Sequence, residues 1–170
     1  MKQQFRWPSA ESPGFPSIEI ELPADWVVSS VPDHAFMAIS PKPGDDGFAA
    51  NVVASVRRVS SSLVLEAISE SVRDELQTLP DFAGLTDAIA EIGGRRASIK
   101  EYGFSEESVG TTVFQLQVAM LVEVDETVSD LVTLTVSHGS SGIDDAIQSL
   151  RELVSSVRLH SNTERGQSPG

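Results

Sequence analysis

Cysteine is absent from the 170 residues. This sequence therefore has no disulfide, no thiolate zinc site, no cysteine nucleophile and no lipobox cysteine to carry a lipid, and it suits a reducing compartment. Basic residues are scarce: 12 Lys and Arg stand against 25 Asp and Glu, a formal charge of −13. Such a chain repels polyanions, and no Lys/Arg cluster interleaved with aromatics offsets the repulsion. Nucleic acid is not expected as a partner, and an anionic membrane surface is disfavoured. Long apolar runs are missing too. Nothing approaches the ~18 consecutive apolar residues of a membrane span. The opening MKQQFRWPSAESPGFP has no apolar stretch of the ~7–15 residues a signal peptide needs. These absences lead to an expectation of a cytoplasmic protein without membrane insertion.

Signature motifs of catalysis are lacking as well. There is no Walker A loop, no G-x-G-x-x-G, no H-E-x-x-H and no G-x-S-x-G elbow. The GDDG stretch at 44–47 holds two carboxylates but not the 12-residue oxygen-rich loop of an EF-hand, so it reads as an acidic turn. Asp144 and Asp145 are adjacent on a helix and point about 100° apart, a poor pair for acid–base work. No metal and no cofactor is expected.

What is present is enough for one domain. A chain of this length buries roughly 70% of its unfolded surface and needs no covalent staple. Residues 1–16, with Pro8, Pro13, Gly14 and Pro16, read as a flexible arm, although Phe5, Trp7 and Phe15 give it three aromatics that fold back or dock elsewhere. Residues 17–160 read as a single domain, and 161–170, SNTERGQSPG, as a disordered tail.

Within the domain the hydrophobic period alternates between two and 3.6. Ile18, Ile20 and Leu22 alternate with Glu19 and Glu21 in a strand that Pro23 ends. Phe36 to Ile39 is a second strand, and Ala50, Val52, Ala54 and Val56 share one face of a third. Leu65, Ile68, Val72, Leu76 and Leu79 then recur at helical spacing, which predicts a helix over 63–79 capped by Ser61 or Ser62. Gly93-Gly94 supplies the tight turn of a hairpin. Phe114, Leu116, Val118, Met120, Val122 and Val124 fall on one face of the next strand, opposite Gln115 and Gln117. Its partner strand alternates Val132, Leu134 and Val136 with Thr133 and Thr135. A second helix is predicted over 142–157, with Ile143, Ile147, Leu150, Val154 and Val157 as its stripe and Ser141 as its cap. The order βββ-α-ββββ-α with hairpin connections predicts an α+β fold: a mainly antiparallel sheet of six to seven strands packed with two helices.

Several stretches carry a family resemblance: a strand ending in LPADW, the GFAANVVAS strand, the amphipathic helix, the GGRRA turn, and DLVTLT before the terminal helix. Over 17–159 the chain resembles the LpqN/LpqT-like proteins of actinobacteria, within a PsbP-like superfamily that includes the Ran-binding Mog protein, the photosystem PsbP subunit and the Eag chaperones of type VI secretion. The resemblance implies a PsbP-like fold and a protein-binding, adaptor or chaperone role linked to secretion, without shared catalytic residues. Unlike the lipoprotein members, this sequence has neither signal peptide nor lipobox cysteine.

Candidate site residues follow from the half-polar strand face. Val113, Gln115, Gln117, Leu131 and Thr133 mix apolar side chains with amides and a hydroxyl, as transient interfaces do, and are expected to form the surface for a protein or peptide partner or for a second copy in a homodimer. Trp26, placed directly after the strand-ending proline, either covers the rim of the core or stacks on a ligand. A competing reading makes the chain a small hydrolase using His34, beside Asp33, or His138, which ends a strand before Gly139. That reading requires a serine and a carboxylate within hydrogen-bond reach of one histidine. The HGSSG loop at 138–142 reads as a helix-capping loop, with anion binding at the helix start as its alternative.

Overall fold

The structure, a computed structural model, describes residues 1–7 and 16–161. Ten strands and two helices are present among them: β1 (Lys2–Trp7), β2 (Ser17–Pro23), β3 (Val27–Ser29), β4 (Phe36–Ile39), β5 (Asn51–Ser60), α1 (Leu65–Leu76), β6 (Ala83–Ile92), β7 (Arg95–Glu106), β8 (Thr111–Glu123), β9 (Val128–Gly139), α2 (Ile143–Ser155) and β10 (Arg158–His160). The fold is α+β and its pairings are antiparallel throughout. The large sheet has seven strands in the order β3-β4-β5-β9-β8-β7-β6.

A second, three-stranded sheet in the order β1-β2-β10 departs from the sequence expectation. Residues 2–7 of the expected flexible arm are strand, paired with β2 from Lys2↔Pro23 to Trp7↔Ile18. The physical reason is apolar burial: Phe5 meets Phe36 edge-to-face at 4.6 Å, and both Phe5 and Trp7 pack on the main core. The expected tail from 162 onward, and residues 8–15 of the arm, lie outside the described residues.

The main core lies on one face of the large sheet. Leu116, Val118, Met120 and Val122 of β8 join Val132, Leu134 and Val136 of β9, as the period-two pattern requires. Ile18, Ile20 and Leu22 from the small sheet and Leu150, Leu153, Val154 and Val157 from the C-terminal segment that includes α2 close over them. Phe114 is only partly buried and Val124 is exposed, so the buried row is shorter at both ends than the pattern suggests.

The opposite face is covered in part by α1. Ile68 packs with Ala119 and Leu131, and Leu76 packs with Tyr102, Phe104 and Val113. α1 therefore lies over β7 and β8. Toward the other edge, Met37, Val53, Ser55, Thr133 and Thr135 remain partly exposed.

Both helix starts differ from expectation, since neither has a side-chain cap. α1 begins at Leu65 with Val64 in the N-cap position and no side-chain cap, while Ser61 Oγ donates to Glu126 O at 2.7 Å. α2 begins after Gly142, whose φ of 73° only glycine adopts readily, and its cap also lacks a side chain. Asp46 from the GDDG turn accepts a hydrogen bond from Ser141 N at 2.9 Å and from Phe48 N at 3.0 Å instead. Those two amide donors, with the Ser140 and Thr111 hydroxyls, lower its carboxyl pKa. The anion that the HGSSG loop holds is thus this chain's own.

Candidate functional site

The geometry separates the expected partner surface into two classes. Val113 and Leu131 are each only 2% exposed, packed beneath α1. They are core residues, which corrects their assignment to an open surface; a second helix on that face buries its apolar members. Gln115 is fixed within the sheet: Tyr102 Oη donates to its Oε1 at 2.6 Å, and its Nε2 donates to Ser137 Oγ at 3.0 Å. Gln117 and Thr133 stay partly exposed. Thr133 pairs with Ser55 and Ala119, and Gln117 with Thr135 and Lys100, so both border the open part of the face. Trp26 lies elsewhere, partly buried against the main core, with its backbone oxygen accepting from Gln3 Nε2 at 2.9 Å. It is a core-rim aromatic, held by the strand that the N-terminal residues form.

Beside α1 the same face carries an ionic cluster in which Lys100 is buried while Arg73 and Asp87 reach solvent. Lys100 is 4% exposed, with Nζ 2.6 Å from Asp87 Oδ1 and 3.1 Å from Ser69 Oγ. Arg73 Nε meets the other Asp87 oxygen at 2.5 Å. Arg73 and then Lys100 hold the Asp87 carboxyl below the ordinary range despite some desolvation. Leu76, Phe82, Leu85 and Tyr102 join these groups around an open groove of about 300 Å³ between α1 and β6. Burial, with the charge of Glu75 added, pushes the Tyr102 phenol up to about 12, so it stays a protonated donor at neutral pH. Both cations are committed to Asp87 and the phenol to Gln115. The groove offers shape and polarity but no free nucleophile or base.

A matching clamp stands on the other face. Arg151 of α2 holds Glu101 through two bonds, 2.7 Å and 2.8 Å, and Thr86 Oγ1 adds a third at 2.7 Å. Arg151 is the main cause of the lowered Glu101 pKa. These bonds tie α2 to β7 and β6 by a bidentate, geometrically specific pair.

The histidines are not gathered into a relay. His34 is exposed in its loop. His138 Nδ1 lies 2.8 Å from Gly139 O, its neighbour's carbonyl. Neither bonds a serine or a carboxylate among the described residues. No group of three or more His, Asp or Glu side chains there has the geometry of a metal site.

A sequence profile of the family described as probable lipoprotein LpqN matches residues 6–159. No curated protein matches the sequence. Among solved structures, the chain resembles LpqN of Mycobacterium tuberculosis, a protein involved in cell envelope biogenesis. The two share 17% identity with a TM-score of 0.73, over 94% of this chain and 91% of that one. The cyanobacterial PsbP of Synechocystis sp. PCC 6803 superposes with a TM-score of 0.60 at 13% identity, covering 94% of both chains. A point mutant of the protein Mog1 gives 0.51 at 13% identity, over 95% of this chain and 98% of that one. At these identities the structural likeness establishes a shared PsbP-like fold.

Proposed function

The chain belongs to the family described as probable lipoprotein LpqN, and on that premise we propose that it is a non-enzymatic protein-binding module of the adaptor or chaperone kind. The observation that carries this reading is the unevenly covered sheet. α1 spans β7 and β8, and beyond it Met37, Val53, Ser55, Thr133, Thr135 and Gln117 form a strip with no covering element among the described residues. Apolar, hydroxyl and amide side chains are mixed there, a composition that tolerates water and gains from burial. The committed state of Lys100, Arg73 and Tyr102, and the absence of a relay at His34 or His138, argue for binding over hydrolysis.

The mycobacterial LpqN is involved in cell envelope biogenesis, and by that likeness the partner sought belongs to envelope assembly or secretion. No helix among the described residues is long and apolar enough to cross a membrane. The cytoplasmic location expected from the sequence is kept as part of the proposal, against the lipoprotein name of the family; cell fractionation decides it. The experiment for the binding reading is affinity capture from the producing cell with wild type and Gln117→Lys side by side. A protein retained by wild type and depleted at least tenfold with the folded variant is the expected result. Equal capture by both would refute the sheet-strip reading.

A further inference from the structure

At the far edge of the large sheet from that strip, β6 is a ten-residue strand paired on one side only. Natural edge strands are kept short or guarded by Lys and Pro. The opposite edge, β3, follows the rule with three residues. β6, AGLTDAIAEI, contains neither Lys nor Pro. A bulge between Gly84 and Thr86 interrupts its start, and the rest runs in unbroken register to Ile92↔Arg95. Leu85 is 57% exposed and Ile89 37%, and Ala88 and Ala90 are exposed beside them.

The unused hydrogen-bonding groups can be assigned. Gly93 and Gly94 both have positive φ and make a two-residue turn. In such a hairpin the flanking residues, Ile92 and Arg95, form a hydrogen-bonded pair, and such pairs recur at every second residue. Ala90 and Ala88 therefore bond β7, and the main-chain groups of Asp87, Ile89 and Glu91 point outward. The strand also separates two grooves. One, about 300 Å³, lies on the α1 side among Leu76, Phe82 and Leu85. The other, about 390 Å³, lies on the α2 side among Ala88, Ala90, Ile99 and Val154. Alternate side chains of a strand laid against β6 would enter one groove and then the other.

Charge selects the occupant. Every cation along the middle of this edge is already engaged: Arg73 and Lys100 with Asp87, Arg96 with Glu66, and Arg151 with Glu101. Glu91 on the strand, and Glu70 and Asp74 flanking Arg73, are exposed without an ion pair among the described residues. A second copy would bring the same carboxylates to the contact and set a chain of −13 against another. We infer that β6 is a strand-addition site for an extended peptide segment in which apolar residues alternate with Lys or Arg. This surface lies at the opposite edge from the strip bounded by Gln117 and Thr133, so it stands or falls apart from it.

The test uses capped seven-residue peptides, one alternating valine with lysine and one alternating valine with glutamate, added to the ¹⁵N-labelled full chain. The valine–lysine peptide is expected to bind and to slow amide exchange at Asp87, Ile89 and Glu91 at least tenfold, while the valine–glutamate peptide is without effect. Ile89→Pro removes an outward N–H without touching the β6–β7 ladder and should abolish that protection. Glu91→Lys, which leaves the main chain intact, should weaken binding at least tenfold if the proline variant fails to fold. Thr133→Lys should leave the binding unchanged. Equal binding of both peptides, or binding of the valine–lysine peptide without protection at those three amides, overturns the proposal. So does a concentration-dependent dimer in light scattering that Ile89→Pro abolishes, since the edge would then belong to a second copy.

Discussion

The two faces of the seven-stranded sheet are built from alternate residues of the same strands and meet opposite physical fates. Leu134 and Thr133 are neighbours in β9. Leu134 is fully buried among Val118, Val136 and the residues of α2, while Thr133 sits at the border of α1, partly exposed. One face is sealed by α2 and the small sheet, with the Arg151–Glu101 clamp at its rim. The other has a shorter apolar seam beneath α1, a part-buried Lys100–Asp87 pair, and an open strip. Stability belongs chiefly to the sealed face, because hydrophobic burial scales with apolar area removed from water. Under the proposed function, recognition falls to the face where side chains still reach solvent.

The largest expected effect breaks the sealed face. Leu134→Ala removes a fully buried side chain and should cost about 2–5 kcal/mol in denaturant unfolding; a midpoint equal to wild type would mean that the core is centred elsewhere. Next comes the ionic seam. Lys100→Ala leaves Asp87 with Arg73 alone and exposes a void under Ser69, for a loss of about 1–3 kcal/mol. Lys100→Met should lose less, because the methylene stem's packing is retained.

A smaller effect appears with pH. Glu101 and Asp87 have folded-state pKa values below their ordinary 4.5 and 3.8. A depressed carboxyl contributes stability above its unfolded value and loses it as pH falls through the folded one, since the unfolded chain then binds more protons. Unfolding free energy should therefore fall as the pH drops below about 4.5. Arg151→Gln should make that decline shallower and cost about 1 kcal/mol near neutrality. An acid limb of unchanged slope would remove Glu101 from the account. The smallest effect on stability is that of Thr133→Lys, within about 0.5 kcal/mol of wild type as for other surface changes, with partner capture reduced.

The sealed face is legible from residues alone. The even positions from Leu116 to Val122 point to the core as their period requires, and Gly93-Gly94 turns the hairpin as two adjacent glycines suggest. The apolar members of the other face, Val113 and Leu131, are equally visible. Nothing in a strand's alternation says which helix lands on which side, so the pattern leaves them on a surface that α1 in fact covers. The strand at Lys2–Trp7 has a signal in the alternation of Gln3, Phe5 and Trp7, outweighed by the prolines that follow. β10, with three residues, is too short to show a period. Asp46 reaches Ser141 across 95 positions of sequence, and local pattern carries no trace of such a clasp. The ionic cluster is hidden for the same reason, since Ser69, Asp87 and Lys100 meet only after α1 folds onto the sheet.

Photocrosslinking in the producing cell can show whether the strip beyond α1 is the partner surface. A photoreactive residue is placed in turn at Thr133 and at Ser71 on the outer side of α1, both in otherwise wild-type chain. A discrete protein adduct is expected from position 133 and none from position 71. Adducts of equal yield from both positions, or none from 133 while 71 crosslinks, would contradict it.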